Sequence, residues 1–326
     1  MGMTGKRHET AVVFVTDNGY LGPSLLAALQ LTAQGIDALA DIMIYTVGVD
    51  PALIDTLQNR AGRAISFIPL PDTSYVPPDG VAFAKNHVPV TALARLVIAD
   101  HLPSQYRNIV YLDGDIQIVG DIAPLVRHRV RDGWIAAGRG SAWLDPDDGL
   151  GLNPKGYFDV LAGATRQSYF NSGVLACNRD TWAIYGPKAL NAFFSNGDTF
   201  IRHDQSALNA VFEQNVEPLS PAYNFHNVYA KLKCHGILAP KIIHFTGPAK
   251  PWKAAVPPWG WRFHKSYTDL MERFPELASV FKVEPYAPQP TPGLRARIST
   301  LRGARTRISQ RRAFRAYVKR DFFAVR

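Results

Sequence analysis

Ile109-Val110-Tyr111-Leu112-Asp113-Gly114-Asp115-Ile116-Gln117-Ile118-Val119 is an apolar run that halts at two carboxylates and then resumes. Its first half carries no charge and is rich in β-branched and aromatic residues, which predicts a buried strand. Asp113 and Asp115 fall at or just beyond its end. In extended chain, residues i and i+2 share a side, so both carboxylates can face one point. Gly114 between them leaves the backbone open to close approach. Two hard oxygen ligands at the carboxyl end of a buried strand suit Mg²⁺ or Mn²⁺ carrying a phosphate. A turn with two solvated aspartates is the competing reading, because short motifs often arise by chance.

The residues upstream supply an α/β frame. Residues 10–16, Thr-Ala-Val-Val-Phe-Val-Thr, read as a buried strand of parallel type, and residues 41–47 and 64–69 as two more. Leu25, Leu26 and Leu29 share one face of a helix predicted from about Pro23, which suits a first turn. A second helix covers residues 51–60. Alternation at this spacing is a nucleotide-binding half, whose ligands bind beyond the carboxyl ends of the strands. Asp17, Asn18 and Tyr20, in the turn after the first strand, then lie beside the ligand, unless that turn is an ordinary connection. Residues 69–87 are rich in Pro, Asp and Ser and read as a long loop. A helix from Val88 or Pro89 to Asp100 follows. Arg95 lies inside its apolar run and must either face out or be paired.

Downstream, residues 121–125 read as a helical turn, 134–138 as a strand, and 139–166 as an irregular excursion suited to an acceptor loop. A strand over 169–177 holds Asn171, Ser172 and Gly173 at its centre. Buried polar groups need partners, so these are either satisfied core groups or site groups. Helices follow at 179–194 and 203–212. The second opens with His203-Asp204-Gln205, either a place to meet anions or plain capping by Asp204. Residues 240–252, Pro-Lys-Ile-Ile-His-Phe-Thr-Gly-Pro-Ala-Lys-Pro-Trp, give a short strand ending at His244, a bend at Gly247, and Lys250. Neutral imidazole could complete a Mn²⁺ site beside carboxylates, and a lysine could hold a diphosphate as a point charge. A lone histidine is more often structural, and a lone lysine more often solvated.

The chain of 326 residues has room for one large or two ordinary domains. Cys177 and Cys234 sit in apolar settings far apart, which argues against a disulfide framework and for a reducing compartment. Residues 1–9 have no apolar core of a signal peptide, and no run reaches the ~20 apolar residues of a spanning helix. A cytoplasmic protein, soluble or peripheral, is expected. The net charge of +9 is unevenly spread: residues 294–326 hold ten Arg and Lys319 against Asp321, a balance of +10, which leaves residues 1–293 at −1. Residues 285–292 are a Pro-rich linker. Beyond it Leu294, Ile298, Leu301, Ile308, Phe314, Val318 and Phe322 recur at roughly helical spacing among arginines. Such a basic amphipathic segment reads as a membrane-surface anchor, with nucleic-acid binding or a solvated tail as competitors. The chain therefore divides into a globular domain over 1–284 and a linker plus basic tail over 285–326.

Taken together and in order, Tyr111-Leu-Asp-Gly-Asp115, Tyr169-Phe-Asn-Ser-Gly-Val-Leu175, Asp204-Gln205 and His244-x-x-Gly-x-x-Lys-Pro-Trp252 resemble the family 8 retaining glycosyltransferases. That group contains bacterial lipooligosaccharide galactosyltransferases, lipopolysaccharide glucosyl- and galactosyltransferases, and glycogenin. The resemblance runs over about residues 12–252. It implies a GT-A fold, a Rossmann-like mixed sheet flanked by helices and merged with an acceptor-binding part. It also implies a Mn²⁺ or Mg²⁺ ion and a UDP-sugar donor. Galactose or glucose would move to a saccharide or glycolipid acceptor such as lipopolysaccharide core. By position, Asp113, Asp115 and His244 would bind the metal, and Gly247 and Lys250 the diphosphate. Asp17, Asn18 and Tyr20 would lie against uridine and ribose. Arg95 would reach the donor, Asn171 and Gly173 would line the sugar pocket, and Asp204 and Gln205 would stand near the anomeric carbon as the catalytic pair.

The chain departs from the family pattern at Gly19, at Leu93, and near Arg139-Gly140, where no acidic residue aligns. A lipid-linked acceptor agrees with a basic tail resting on the anionic inner face of the cytoplasmic membrane, and no nucleic acid partner is expected. The alternative is a non-catalytic nucleotide-sugar or nucleic-acid binding protein using the tail. The full set of Asp113, Asp115, His244, Lys250 and Gln205 disfavours it. A nucleotidyltransferase would need a Gly-rich basic phosphate loop after the first strand, and none is present.

Overall fold

A computed structural model describes residues 8–71, 73–81, 90–144, 156–286, 304–320 and 322–326. Val88, Pro89, Leu294, Ile298, Leu301 and parts of the predicted loop, excursion and linker lie outside these residues.

The uncharged run at the N-terminus forms β1 (Thr10–Thr16), followed by α1 (Asn18–Ala33), β2 (Asp41–Thr46), α2 (Pro51–Ala61) and β3 (Ile65–Pro69). The opening motif forms β4 (Asn108–Leu112) and β5 (Ile116–Ile118), with Asp113, Gly114 and Asp115 between them. Next come α4 (Ala123–Arg127), β6 (Ile135–Arg139), β7 (Phe170–Asn178), α5 (Arg179–Asn196), α6 (His203–Phe212) and β8 (Val216–Leu219). A short α3 (Ile98–His101) precedes β4, and β9 (Phe225–His226), α7 (Asn227–Lys231), β10 (Ile242–His244) and α8 (Gly260–Arg273) complete the fold before a last helix, α9 (Ala304–Arg320).

Seven strands make one mixed sheet in the order β3-β2-β1-β4-β7-β6-β8. β1 pairs in parallel with β2 on one side and β4 on the other, with Val12 opposite Ile42 and Val110. The strand order thus reverses at β1, and the crevice at such a reversal is where α/β sheets hold ligands. The carboxyl ends of β1 and β4, carrying Asp17 and Asp113, open into that crevice. β7 runs antiparallel to β4 and β6. A second sheet of β5, β10 and β9 stands beside it, with His244 paired to Ile116 and His226. This small sheet carries the end of the 240–252 stretch to the Asp113–Asp115 turn.

Apolar side chains on the two faces of the main sheet form two cores. One includes Leu96, Trp182, Phe193 and Phe212 beneath α5 and α6, and the other includes Leu25, Ile44, Tyr267 and Phe281 beneath α1 and α8. Burying each such side chain contributes roughly 1.5–3 kcal/mol. Among the described residues, no helix is long and apolar enough to cross a membrane.

Two predicted elements are corrected. α1 begins at Asn18, not Pro23, because Asp17 Oδ1 accepts the Gly19 N–H at 3.0 Å and caps the helix there. Pro23 then sits inside the helix rather than in its first turn. Val90–Val97 winds as a tight 3₁₀ segment, and only Ile98–His101 is α-helical.

Within the basic tail Ala304–Arg320 is helical, as the spacing predicts, but part of its apolar face turns inward. Phe314 is fully buried with its ring 4.7 Å from Tyr229, and Tyr317 lies 5.0 Å from Trp143. Gln310 donates to the Leu144 carbonyl at 2.8 Å. Val325 then bridges in parallel to Leu219 at the edge of β8, and the Arg326 carbonyl accepts from Tyr223 Oη and Lys241 Nζ. Periodicity marks an apolar face but not the surface that covers it.

Candidate active site

β4 ends at Leu112, and the Asp113 N–H is held by the Gly173 carbonyl of β7 at 2.9 Å. The close approach that Gly114 permits is made by α1: a Cβ there would stand 2.5 Å from Ser24 Oγ. Packed against α1, the turn aims both carboxylates toward β10. His244 Nε2 lies 3.2 Å from Asp115 Oδ1 and 3.6 Å from Asp113 Oδ2. One ligand atom from each of the three residues falls within 4.8 Å of the other two. Two carboxylates and one imidazole at that spacing fit a hard divalent cation.

Lys250 Nζ lies 2.5 Å from Asp115 Oδ2 and 2.7 Å from the Phe245 carbonyl. Burial pushes the Asp115 carboxyl up, but the charges of Lys250 and His244 outweigh it and hold the group well below the usual carboxylate range. Burial lowers the Lys250 ammonium in turn, and Asp115 outweighs that to raise it above its ordinary value.

Arg95 takes the paired alternative. It is 7% exposed, with NH1 2.8 Å from Asp113 Oδ1, 3.5 Å from Asp204 Oδ2 and 3.2 Å from the Ser172 carbonyl. Its guanidinium lies 4.4 Å from the centre of the Tyr111 ring, and Tyr111 Oη donates to Asp113 at 3.1 Å. Burial pulls the guanidinium down, and Asp113 and Asp204 more than restore it, so the charge is permanent. Asp204 does not cap α6. Ser172 Oγ donates to its carboxylate at 3.0 Å, and burial raises its carboxyl despite Arg95. Gln205 Oε1 accepts from Asn171 Nδ2 at 2.9 Å, and its Nε2 donates to Tyr169 Oη at 2.8 Å.

One cavity of about 230 Å³ gathers Asp17, Tyr20, Arg95, Asp113, Asp115, Asn171, Asp204, Gln205, His244, Gly247 and Lys250. Two expected residues do not line it. Asn18 turns its amide to the Gly48 carbonyl at 3.2 Å. Gly173 lies behind the site, where a Cβ would come 2.6 Å from His244 Nδ1 and 2.8 Å from Asp113 Oδ2. The missing side chain there makes room for the His244 ring.

Ser172, one of the polar groups at the centre of β7, lines the cavity too, and so do Tyr111, Thr91, Arg202 and Thr246, which were not named as site candidates from the sequence. Tyr111 had a readable signal, since it lies two residues before Asp113 in the same extended run of chain and shares its side. Asn224, fully enclosed behind the site, had none.

The Glycosyl transferase family 8 model matches residues 11–255. Lipopolysaccharide glucosyltransferase WaaO of Escherichia coli (strain K12) is 28% identical over 183 residues, 52% of this chain and 50% of WaaO. The chain thus spans about half the length of that relative. General stress protein A of Bacillus subtilis (strain 168) is 23% identical over 74% of this chain and 87% of its own length. Among solved structures, the galactosyltransferase LgtC in complex with donor and acceptor sugar analogs superposes with a TM-score of 0.63 at 21% identity, covering 84% of this chain and 97% of LgtC. The architecture is the GT-A fold. With residues 11–255, about three quarters of its length, matched by that family model, the chain belongs to glycosyl transferase family 8.

Proposed function

We propose that this protein is a metal-dependent, retaining hexosyltransferase. It moves galactose or glucose from a UDP-sugar to a saccharide or glycolipid acceptor such as lipopolysaccharide core. The observation that carries this reading is the convergence of the Asp113, Asp115 and His244 cluster, Lys250 and the Asp204–Gln205 pair on one cavity. Similarity to WaaO, a lipopolysaccharide glucosyltransferase, supports the acceptor class.

In this reading Asp113, Asp115 and His244 hold Mn²⁺ or Mg²⁺. The bound ion supplies positive charge against the diphosphate that leaves as the glycosidic bond breaks. Lys250 adds a second positive charge there, on the Gly247 turn. Asp17 and Tyr20, at the head of α1, flank the uridine and ribose. Arg95 pins Asp113 and Asp204 to one another, so the donor end and the sugar end keep a fixed spacing. Asp204 holds donor hydroxyls.

Retaining hydrolases use a carboxylate nucleophile ~5–5.5 Å from an acid. The central group here is the Gln205 amide, a poor nucleophile. The acceptor hydroxyl therefore attacks from the face the diphosphate leaves, and its proton passes to the departing phosphate. Gln205 steadies the oxocarbenium-like sugar.

The exposed face of α9, with Arg311, Arg312, Arg315 and Lys319, together with Phe322, supports peripheral contact with an anionic membrane on the cytoplasmic side. Each basic residue near such a surface contributes about 1 kcal/mol.

The test is UDP release from a panel of UDP-sugars, with Mn²⁺ and with chelator. Asp115→Ala should abolish turnover, and Gln205→Ala should lower it strongly. Full activity in chelator, or near-wild-type turnover of Gln205→Ala, would overturn the corresponding role. Replacing Arg311, Arg312 and Arg315 by Glu should abolish co-sedimentation with anionic vesicles. Unchanged co-sedimentation would end the membrane reading.

A further inference from the structure

A line of amide contacts runs behind the site from His244 to Gln205; backbone N–H groups, which can only donate, set the polarity of Asn171 and Gln205, and that of Asn224 and His244 follows from Asn171. The Gly173 N–H donates to Asn171 Oδ1 at 3.0 Å, so that atom is the oxygen. The Ser172 N–H likewise donates to Gln205 Oε1 at 3.3 Å. Asn171 Nδ2 therefore donates to Gln205 Oε1 at 2.9 Å. On its other side Asn171 Oδ1 faces Asn224 at 2.8 Å, which requires the Asn224 amide nitrogen there. The Asn224 oxygen is left facing His244 Nδ1 at 2.9 Å. An oxygen that can only accept demands a proton on that nitrogen. His244 Nε2, the nitrogen 3.2 Å from Asp115, is then the one left to offer a lone pair to a cation that takes the place of the proton between it and that carboxylate.

We propose that Asn224 is a positioning residue: it holds the proton of His244 on Nδ1 so that Nε2 serves as metal ligand, and through Asn171 it orients the Gln205 amide. The proposal rests on the metal and Gln205 roles given under Proposed function. Asn224 is 1% exposed and does not line the cavity, so it acts only through its neighbours. Its side chain packs on β6, where a Cβ on Gly138 would come 3.1 Å from Asn224 Cβ. Fixing the tautomer of a ligating histidine through its other nitrogen is how outer partners tune a metal site, and their loss lowers affinity by roughly 10–100-fold. The extension to Gln205 is particular to this chain of contacts: one amide sets both the metal ligand and the group at the sugar.

The test uses the full chain labelled with ¹⁵N-histidine, read at about pH 8, above the ordinary imidazole range. The His244 resonances, assigned by their loss in His244→Gln, should report a protonated Nδ1. An unprotonated Nδ1 in the wild type overturns the proposal without any variant. Asn224→Ala should shift the proton toward Nε2 and weaken Mn²⁺ binding, measured by electron paramagnetic resonance, by roughly 10–100-fold. Asn224→Asp keeps an oxygen toward His244 but offers Asn171 no donor. It should retain the protonated Nδ1 and Mn²⁺ affinity within a few-fold while kcat with UDP-sugar falls at least about tenfold, as a lost positioning contact would do. Wild-type Mn²⁺ affinity in Asn224→Ala, or wild-type kcat in Asn224→Asp, overturns it. Failure of the wild type itself to bind Mn²⁺ would remove the metal reading, whereas the proton on Nδ1 is read independently from the spectrum.

Discussion

Lys250 Nζ lies 2.5 Å from Asp115 Oδ2, and the same carboxylate faces His244 across 3.2 Å. Both members of the pair are nearly sealed from water. Removing one partner of a buried ion pair typically costs about 3–5 kcal/mol, because the other charge is left uncompensated. Lys250→Met should therefore destabilise the protein by that order in chelator. A cation bound by Asp115 would replace the missing charge, so Mn²⁺ should stabilise Lys250→Met more than it stabilises the wild type. Urea unfolding of both proteins, with chelator and with Mn²⁺, reads the difference. Equal stabilisation by Mn²⁺ would show that the ion and Lys250 do not share Asp115.

Gly173 is a steric requirement rather than a backbone one, since its φ is not among the positive values of the chain. A Cβ there would overlap the His244 ring and stand 2.8 Å from Asp113 Oδ2. Both neighbours are held: Asp113 by Arg95, and His244 by Asn224. Gly173→Ala should then cost about 1–3 kcal/mol, as overpacking does, and displace His244 from the cluster. Isothermal titration should find Mn²⁺ binding weakened at least about tenfold, the scale of a disturbed ligand. Unchanged Mn²⁺ affinity would place the histidine outside the metal site.

The elements legible in the sequence are those whose burial on both faces leaves an uninterrupted apolar run. β1, β2 and β4 belong to this class, whereas β7 is legible from residues 174–177 despite the polar Asn171 and Ser172 before them. β8 was not legible. It carries Glu217 and Pro218, and Glu217 is accommodated by His128 at 2.7 Å and Arg131 at 3.0 Å, partners brought from another part of the chain. α8 buries His264, Tyr267 and Leu270 three residues apart, but two of these three carry polar atoms and Arg262, Lys265, Asp269 and Glu272 stand among them, so the stripe is not legible. In the site, Asp113, Asp115, His244 and Lys250 stood out because their chemistry is concentrated at strand ends. Arg95 and Asn224 gave no such signal. An arginine inside an apolar run is paired or solvated according to what lies opposite, and here the partners are 18 and 109 residues further along, at Asp113 and Asp204.

His226 gives the fold a pH dependence of definite sign. Burial, and then the charge of His244, lowers its pKa to about 3. In the unfolded chain an imidazole takes up its proton near 6.5. Between these values the unfolded state binds one more proton than the folded state, so stability falls as pH drops from about 6.5 toward 3. His226→Phe removes that proton while keeping a ring against Tyr229, whose ring lies 3.9 Å away. The stability of the wild type relative to His226→Phe should decrease by about 2 kcal/mol between pH 7 and pH 5, the value one such proton gives. Urea unfolding at the two pH values measures it. A constant difference would mean that the buried histidine does not govern this window.

The docked tail makes a prediction that separates its two apolar faces. Phe314 is 0% exposed against Tyr229, whereas Phe322 is 80% exposed. Truncating a buried phenylalanine costs about 3–5 kcal/mol, while surface substitutions away from special contacts stay within about 0.5 kcal/mol. Phe314→Ala should accordingly lower the urea midpoint and open α9 to proteolysis, and Phe322→Ala should do neither. Vesicle binding should show the reverse order. Phe322→Ala should weaken co-sedimentation with anionic lipid, because an exposed aromatic ring beside a basic helix is the group free to enter an interface. Phe314→Ala, with α9 released, should retain the arginines and with them the attraction to lipid. Equal stability of the two variants would mean that α9 does not pack on the domain. Lipid binding lost only in Phe314→Ala would mean that the membrane meets the docked helix rather than its exposed aromatic end.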